Sequence, residues 1–308
     1  MIPKFPEFRK LVADHKETIE AYTRIFPPYS DYTFPSLWSW NIHEQIELSD
    51  LNGNLVVRFT DYVTNEKFLS FLGNKEVIKT LEALFALIEC APDHLSYLKL
   101  IPEHNLHGIH LSNGFEAVED ADNHDYIYRI IDLASLKRPR YHRHRNQISQ
   151  FLKKYVWQII PLDLSRNETW AEIEKVCEVW KRQKLQRNNN VQNDTNALSR
   201  LGDIALRTRL MGVGICVDGK LVGFSTFEFN HEAFATGLFE LADMTYSGIY
   251  PHLRKQAAIR LVESGCKWLN LQQDLGIEGL RNYKTWCYPD FFLKKFIIRR
   301  TRKSHCEA

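Results

Sequence analysis

Apolar side chains recur along residues 76–90 at the spacing of one helix face, with Val77, Leu81, Leu84 and Ile88 in line and Ile78 and Phe85 widening the stripe. A stripe that wide predicts a helix laid against a core. Shorter β-branched and aromatic runs flank it, LVVRFTDY at 55–62 and YIYRIIDL at 126–133, and with turn formers at their ends they predict strands. Beyond residue 160 the alternation begins again. After the turn at Pro161, Ser165 and Glu168 have capping-box spacing ahead of Trp170, Ile173, Cys177 and Trp180 on one helical face. VGICVDGKLVGFSTFEF at 213–229 reads as a hairpin turning through Asp218 and Gly219. Residues 235–244 predict a strand, 251–264 a helix with Leu253, Ala257 and Leu261 in register, and 267–272 a further strand.

Hairpin, strand, turn, helix, strand, helix is the order of a GNAT-type acyltransferase, whose central sheet is splayed. Composition fits a folded chain: 308 residues, 44% of them hydrophobic and 25% charged, suffice for two domains with cores of their own. A net charge of +2 is too small to mark the whole surface as nucleic-acid-binding, so any such argument rests on local clusters. One exists. From Leu133 to Leu162 there is no acidic residue, while Lys137, Arg138, Arg140, Arg143, Arg145, Lys153 and Lys154 accumulate, and this shift places the expected junction. Cys90, Cys177, Cys216, Cys266, Cys287 and Cys306 form no CxxC pair, which fits reduced thiols in a cytoplasmic protein. The N-terminal MIPKFPEFRKLVADHKE has no apolar signal region, and no run approaches the roughly 18 apolar residues of a spanning helix. The expectation is a cytoplasmic protein without a transmembrane segment.

Four segments are more specific: SDYTFPSLWSW (30–40), DYIYRIIDLASLKRPRYHRHRNQISQF (125–151), ADMTYSGIYPHLRKQAAIRL (242–261) and NLQQDLGIEGLRNYKTWCYPDFFLKKF (270–296). In order and spacing they resemble the soluble C-terminal region of phosphatidylglycerol lysyltransferases and its stand-alone relatives, over nearly the whole chain. The resemblance implies an α/β fold of two tandem GNAT-like domains with mixed, splayed sheets, here 1–134 and 135–308, the second holding the active cleft. Membrane-bound members move an amino acid from aminoacyl-tRNA to a lipid, whereas many stand-alone members have no assigned reaction. The membrane portion is missing from this sequence, which leaves the acceptor open.

Two donors fit such a scaffold. An acyl-CoA GNAT grips pyrophosphate with backbone N–H groups in an R/Q-x-x-G-x-G/A loop ahead of a helix. The corresponding stretch here, MTYSGIYPHLRK, keeps one glycine, Gly248, and lacks the second and the leading Arg or Gln. Aminoacyl-tRNA instead needs a basic surface for phosphates, and Arg143, Arg145, Lys153 and Lys154 supply one on a helix whose apolar face is Ile148, Phe151, Leu152 and Tyr155. The plainer alternative is a solvated connector. Peripheral contact with an anionic membrane is a third use of the same patch.

The stretch LNLQQDLGIEGLRNYKTWCYP (269–289) carries the densest candidate chemistry. A strand ends at Gln272, Gln273 and Asp274, Gly276 and Gly279 permit a tight turn, and Arg281 and Lys284 follow at i, i+3 on a helix. Gln273, Arg281, Tyr283 and Lys284 are the substrate-binding candidates. Asp243, Asp274 and Tyr250 are the catalytic ones, the carboxylates suited to a donor ammonium or to base work and Tyr250 to hydrogen-bonding a leaving hydroxyl. Against this stands a structural role, with Asp274 capping the helix and Arg281 paired to Asp243. Neither the His104, His107 and His110 series nor Asp120, Asp122 and Asp125 has metal-loop spacing, so no metal or other cofactor is expected. With no GxSxG, P-loop or Cys-His pairing, direct transfer is the default. A non-catalytic ligand- or tRNA-binding module, its cleft plugged by Trp286 or Phe291, remains the non-enzyme alternative.

Overall fold

The computed structural model describes residues 1–61, 65–90, 94–111, 114–186, 192–231 and 233–301. In chain order it holds β1 (Arg9–Lys10), α1 (Lys16–Thr23), α2 (Phe34–Trp40), β2 (Glu47–Leu51), β3 (Asn54–Thr60), β4 (Lys67–Leu72), α3 (Val77–Glu89), β5 (Leu98–Pro102), α4 (Glu103–Leu106) and β6 (Phe115–Glu119). There follow β7 (Asp125–Arg129), α5 (Ile130–Ser135), α6 (His142–Lys154), β8 (Trp157–Leu162), α7 (Asn167–Leu185), α8 (Gln192–Asp203), β9 (Leu210–Val217), β10 (Lys220–Phe229) and β11 (Phe234–Ala242). The chain closes with α9 (Ile249–Glu263), β12 (Trp268–Asn270), α10 (Glu278–Trp286), β13 (Phe291–Leu293) and β14 (Lys295–Arg300). It divides into two compact units, residues 1–125, 273–281 and 292–308 in the first, 126–272 and 282–291 in the second. The expected division is a single cut at 134/135, whereas these units part first between 125 and 126 and two later stretches return to the first unit.

In the first unit β1, β2, β3 and β4 form an antiparallel sheet, against which α3 lays Val77, Leu81, Leu84, Phe85 and Ile88, the stripe legible in the sequence. β14 joins β5 and β6 in a second antiparallel sheet. β4 and the segment leading to β5 touch through one parallel bridge, Lys67 to His94, and then separate into different sheets. Tyr32, 1% exposed, fills the gap: its hydroxyl meets Ser70 Oγ at 2.5 Å and donates to Leu100 O at 3.3 Å. Asn105 Nδ2 donates to Phe71 O (2.6 Å) while its Oδ1 accepts from Gly73 N.

The second unit is built on a mixed sheet of order β13-β7-β12-β11-β10-β9-β8. The β9–β10 hairpin turns through Asp218 and Gly219, both at positive φ (50° and 76°), the two-residue turn that Asp-Gly specifies. β11 pairs β12 in parallel over only three positions, Phe234 to Thr236 against Trp268 to Asn270, and then diverges from it. Both units thus carry the splayed parallel pair of a GNAT-like fold, within open, unclosed sheets. α9 buries Leu253, Ala257, Ala258 and Leu261 in a core shared with Val213, Ile215 and Phe227.

Three local expectations change. Residues 126–133 do not stay extended: β12 starts at Trp268, opposite Arg129, so β7 runs out of partner there and Ile130 to Leu133 continue as α5. The capping box does not form, because Asp163 captures the Ser165 hydroxyl (2.6 Å) before α7 begins at Asn167. Leu152, placed on the buried face of α6, is exposed, while Ile148 and Phe151 are buried as expected.

Candidate active site

The divergence of β11 from β12 frees main-chain groups, and the residue after the short strand decides what becomes of them. Gln272 sits at φ 61°, a left-handed conformation uncommon for a side chain of its size. Its Nε2 donates to Gly237 O at 2.6 Å and to Leu238 O at 3.4 Å. Leu271 packs so closely on Gly237 that a Cβ there would lie 2.8 Å from its Cδ2. The upper part of the splay is therefore capped by two side chains of the strand's own continuation.

Beyond that cap β11 carries Glu240, flanked by Leu and Phe. Glu240 Oε1 accepts from Arg254 Nη2 and from the Tyr283 hydroxyl, both at 2.6 Å, and Oε2 accepts from Ser225 Oγ at 3.2 Å. Arg254, 7% exposed, lies 4.3 Å over the Tyr283 ring and also contacts Cys287 Sγ. Desolvation and this anionic partner raise the Tyr283 hydroxyl well above its ordinary range, with Arg254 opposing, so it serves as donor. Burial likewise pushes up Tyr250, whose ring meets Tyr283 edge-on at 6.1 Å.

Ahead of α9 the loop holds Gly248 at φ 84°. A Cβ on it would collide with Gln147 O of α6, so glycine is required both by the backbone and by the approach of a second helix. This is where an acyl-CoA GNAT presents N–H groups to pyrophosphate, and α6 covers it. Next to it a cleft of about 10 Å³, room for about one water, is lined by His144, Arg254, Lys255, Tyr283, Trp286 and Cys287 among others. His144 stacks on Trp286 at 3.7 Å and 15°. It is 3% exposed with no hydrogen-bond partner on either ring nitrogen, and burial, helped by Arg254 and Arg143, lowers its pKa to about 4.

The candidates read from sequence fall in both units. Asp243, in the second, receives Gln183 Nε2 (2.6 Å), Thr245 N and Thr245 Oγ1; burial pushes its carboxyl up, but these bonds hold it below the usual range. Lys284 is buried, its Nζ donating to Leu271 O at 2.6 Å. In the first unit Asp274, 1% exposed, accepts from Gly276 N and from Arg281 Nε and Nη2, both at 3.0 Å, and Arg281 also reaches Asp122. Arg281 thus pairs with Asp274 and Asp122, not with Asp243 as the structural alternative had it. Gln273 belongs to a buried cluster there, accepting from Ser30 Oγ at 2.7 Å and donating to Asp31 at 3.1 Å. Of the basic set, Arg143, Lys153 and Lys154 are exposed, whereas Arg145 donates to Leu136 O and Arg138 O at the end of α5.

Glu240, Arg254, Ser225, Gln272 and His144 were not singled out from sequence. A signal existed for the first: one carboxylate inside the apolar run GLFELA is costly unless partnered. Among the described residues no cluster of three His, Cys, Asp or Glu is arranged for a metal, and no helix is long and apolar enough to cross a membrane.

The sequence model of the phosphatidylglycerol lysyltransferase C-terminal region matches residues 23–299. A conserved protein of unknown function from Bacteroides thetaiotaomicron superposes with a TM-score of 0.80 at 25% identity, covering 98% of this chain and all of that one. The C-terminal domain of a putative lysylphosphatidylglycerol synthetase from Agrobacterium fabrum gives 0.64 at 13% identity, with 93% and 91% covered. L-PGS from Bacillus licheniformis gives 0.60 at 14%, with 99% and 95% covered. These last two bear on the fold alone. No curated protein sequence matches.

Proposed function

This chain belongs to the phosphatidylglycerol lysyltransferase C-terminal family, and on that premise we propose that it moves an aminoacyl group from aminoacyl-tRNA directly to an amine or hydroxyl acceptor. One observation carries the choice of donor. Both places where an acyl-CoA GNAT would grip its coenzyme are occupied by the protein itself, the splay by Gln272 and Leu271 and the start of α9 by Gln147 of α6.

In this reading the acceptor attacks the ester carbonyl, the C–O bond to the ribose breaks, and the proton shed by the acceptor ends on the departing ribose oxygen. Tyr250, kept protonated by burial, is the hydrogen-bond donor for that oxygen, while the Tyr283 hydroxyl is held by Glu240 and packs beside it. Asp243, held anionic by its hydrogen bonds, suits the α-ammonium group, and Glu240 fixes Arg254 and Tyr283. Lys284 holds the end of β12. Asp274, Arg281 and Gln273, in the first unit, enter this reading only as the ties that shape the turn after β12. Arg143, Lys153 and Lys154 meet the tRNA backbone, with Arg145 supporting them.

Calorimetry with a hydrolysis-resistant aminoacyl minihelix, acyl-CoA as competitor, tests this. The minihelix should bind and acyl-CoA should not displace it. Asp243→Asn should weaken binding by about tenfold or more, the value of a charge-assisted contact. Neutralising Arg143, Lys153 and Lys154 should weaken it further and flatten its salt dependence. Tight acyl-CoA binding alone would transfer the assignment to an acyl-CoA N-acyltransferase, and binding of neither would leave a non-catalytic module.

A further inference from the structure

The cleft beside α9 carries more than the transfer reaction asks of it. We propose that it is a purine-nucleotide site, in which the base stacks on Trp286 in the seat now held by His144 and the phosphate is met by Lys255. The proposal deepens the aminoacyl-tRNA reading and rests on it for the physiological ligand.

The first ground is the stack itself. A flat nitrogen heterocycle already lies on the Trp286 face at 3.7 Å and 15°, the arrangement that a nucleobase adopts on an aromatic platform. The second is what His144 lacks. An imidazole withdrawn from water without a hydrogen bond to either nitrogen has given up its hydration for stacking alone, so no hydrogen bond is lost when it vacates its seat.

The third is Arg254. Its two terminal nitrogens are engaged by Glu240 and Cys287, but the Nε–H, equally buried, has no acceptor. A purine brings ring-nitrogen acceptors to the edge of its stack, which this donor can use. The fourth is charge: Arg254 and Lys255 line the cleft and no acidic side chain does, so a phosphate is tolerated there.

Free space of about 10 Å³ cannot admit a base beside His144, so the ligand must replace it. That fixes the sign of the test. Adenosine 5′-phosphate stands for the two sources of this chemistry, the 3′ end of tRNA and the adenine end of CoA. By calorimetry, His144→Ala should bind it at least fivefold more tightly than the unaltered chain, because the competing ring is gone. His144→Phe keeps a ring in the seat and should bind no better than the unaltered chain. Trp286→Leu should bind at least tenfold more weakly, in line with the worth of one base–aromatic stack, while Trp286→Phe, retaining a platform, should bind within a few fold. Circular dichroism on each variant separates lost binding from lost fold.

Affinity unchanged in both His144→Ala and Trp286→Leu overturns the proposal. If the minihelix binds and Trp286→Leu does not weaken it, the tRNA reading stands and this site falls. If the nucleotide and CoA bind with the expected ranking and the minihelix does not, the site stands and the tRNA reading falls.

Discussion

The two units use the same backbone device to opposite ends. In each, two parallel strands part after a brief contact. In the first the gap is closed by Tyr32 and Asn105, uncharged side chains fully buried and hydrogen-bonded across it. The loop before α3, which corresponds to the one before α9, is filled by Asn54, whose side chain presses on Gly73 and bonds Lys75 and Thr80. The charges of that unit are sealed elsewhere, with Lys295 between Asp31 and Asp125 out of solvent. In the second, the splay leads to Glu240, Arg254 and two tyrosines, with a cleft and an unsatisfied histidine beside them. A splay filled with satisfied groups is scaffold; one bordered by groups with bonding capacity left over is where a ligand gains most.

That contrast breaks most readily at Lys295. Lys295→Met leaves two buried carboxylates facing each other and should cost about 3–5 kcal/mol in urea unfolding. Donor affinity, measured where the chain is still folded, should not change. A loss of donor binding without loss of stability would mean that the first unit holds a site of its own.

Glu240→Gln is the counterpart in the second unit. It strips the buried Arg254 of its anionic partner, which should cost about 3 kcal/mol of stability and abolish transfer. Adding Arg254→Met should recover stability without recovering transfer. Recovery of both would reduce the cluster to packing.

Acid sharpens the comparison with a smaller effect. His144 and His252 titrate near pH 4 because burial, and for each a nearby cation (Arg254 and Arg143, or Lys255), disfavours the charged ring. Depressed bases of this kind stabilise fully above the unfolded value near 6.5, and the contribution is lost as pH falls from there toward 4. The unfolding free energy from urea titration should drop across that window by on the order of 2 kcal/mol per histidine, and His144→Phe should remove its share of the slope. The smallest change expected is Tyr32→Phe, about 1 kcal/mol for the hydrogen bonds across the first splay, with donor binding untouched.

Much of the architecture was legible because it rests on local periodicity. The α3 stripe, the Asp-Gly hairpin and the apolar register of α9 each need only neighbours in sequence. The candidate site was legible only in part. Tyr283 and Tyr250 were found because they flank turns that looked chemical, and Asp243 because it ends a strand. Glu240 and Arg254 were not, since a carboxylate in a strand and an arginine in a helix 14 residues later say nothing of each other until the sheet and α9 bring them to 2.6 Å. Asp274 and Arg281 drew attention by spacing alone, and their pairing is a local one.

By itself the sequence determined the elements, their GNAT-like order and the basic stretch from 137 to 154, because propensity, period and charge are properties of short segments. The tertiary structure alone decided which charges are spent. It turned Arg145, Arg281 and Lys284 into ties between neighbouring segments, brought β14 back to the first unit, and left His144 and Arg254 Nε without partners beside Trp286. Hydrogen bonding saturates at contact distance, so whether a polar group is satisfied depends on what the fold brings within about 3 Å of it, and no reading of one segment can supply that.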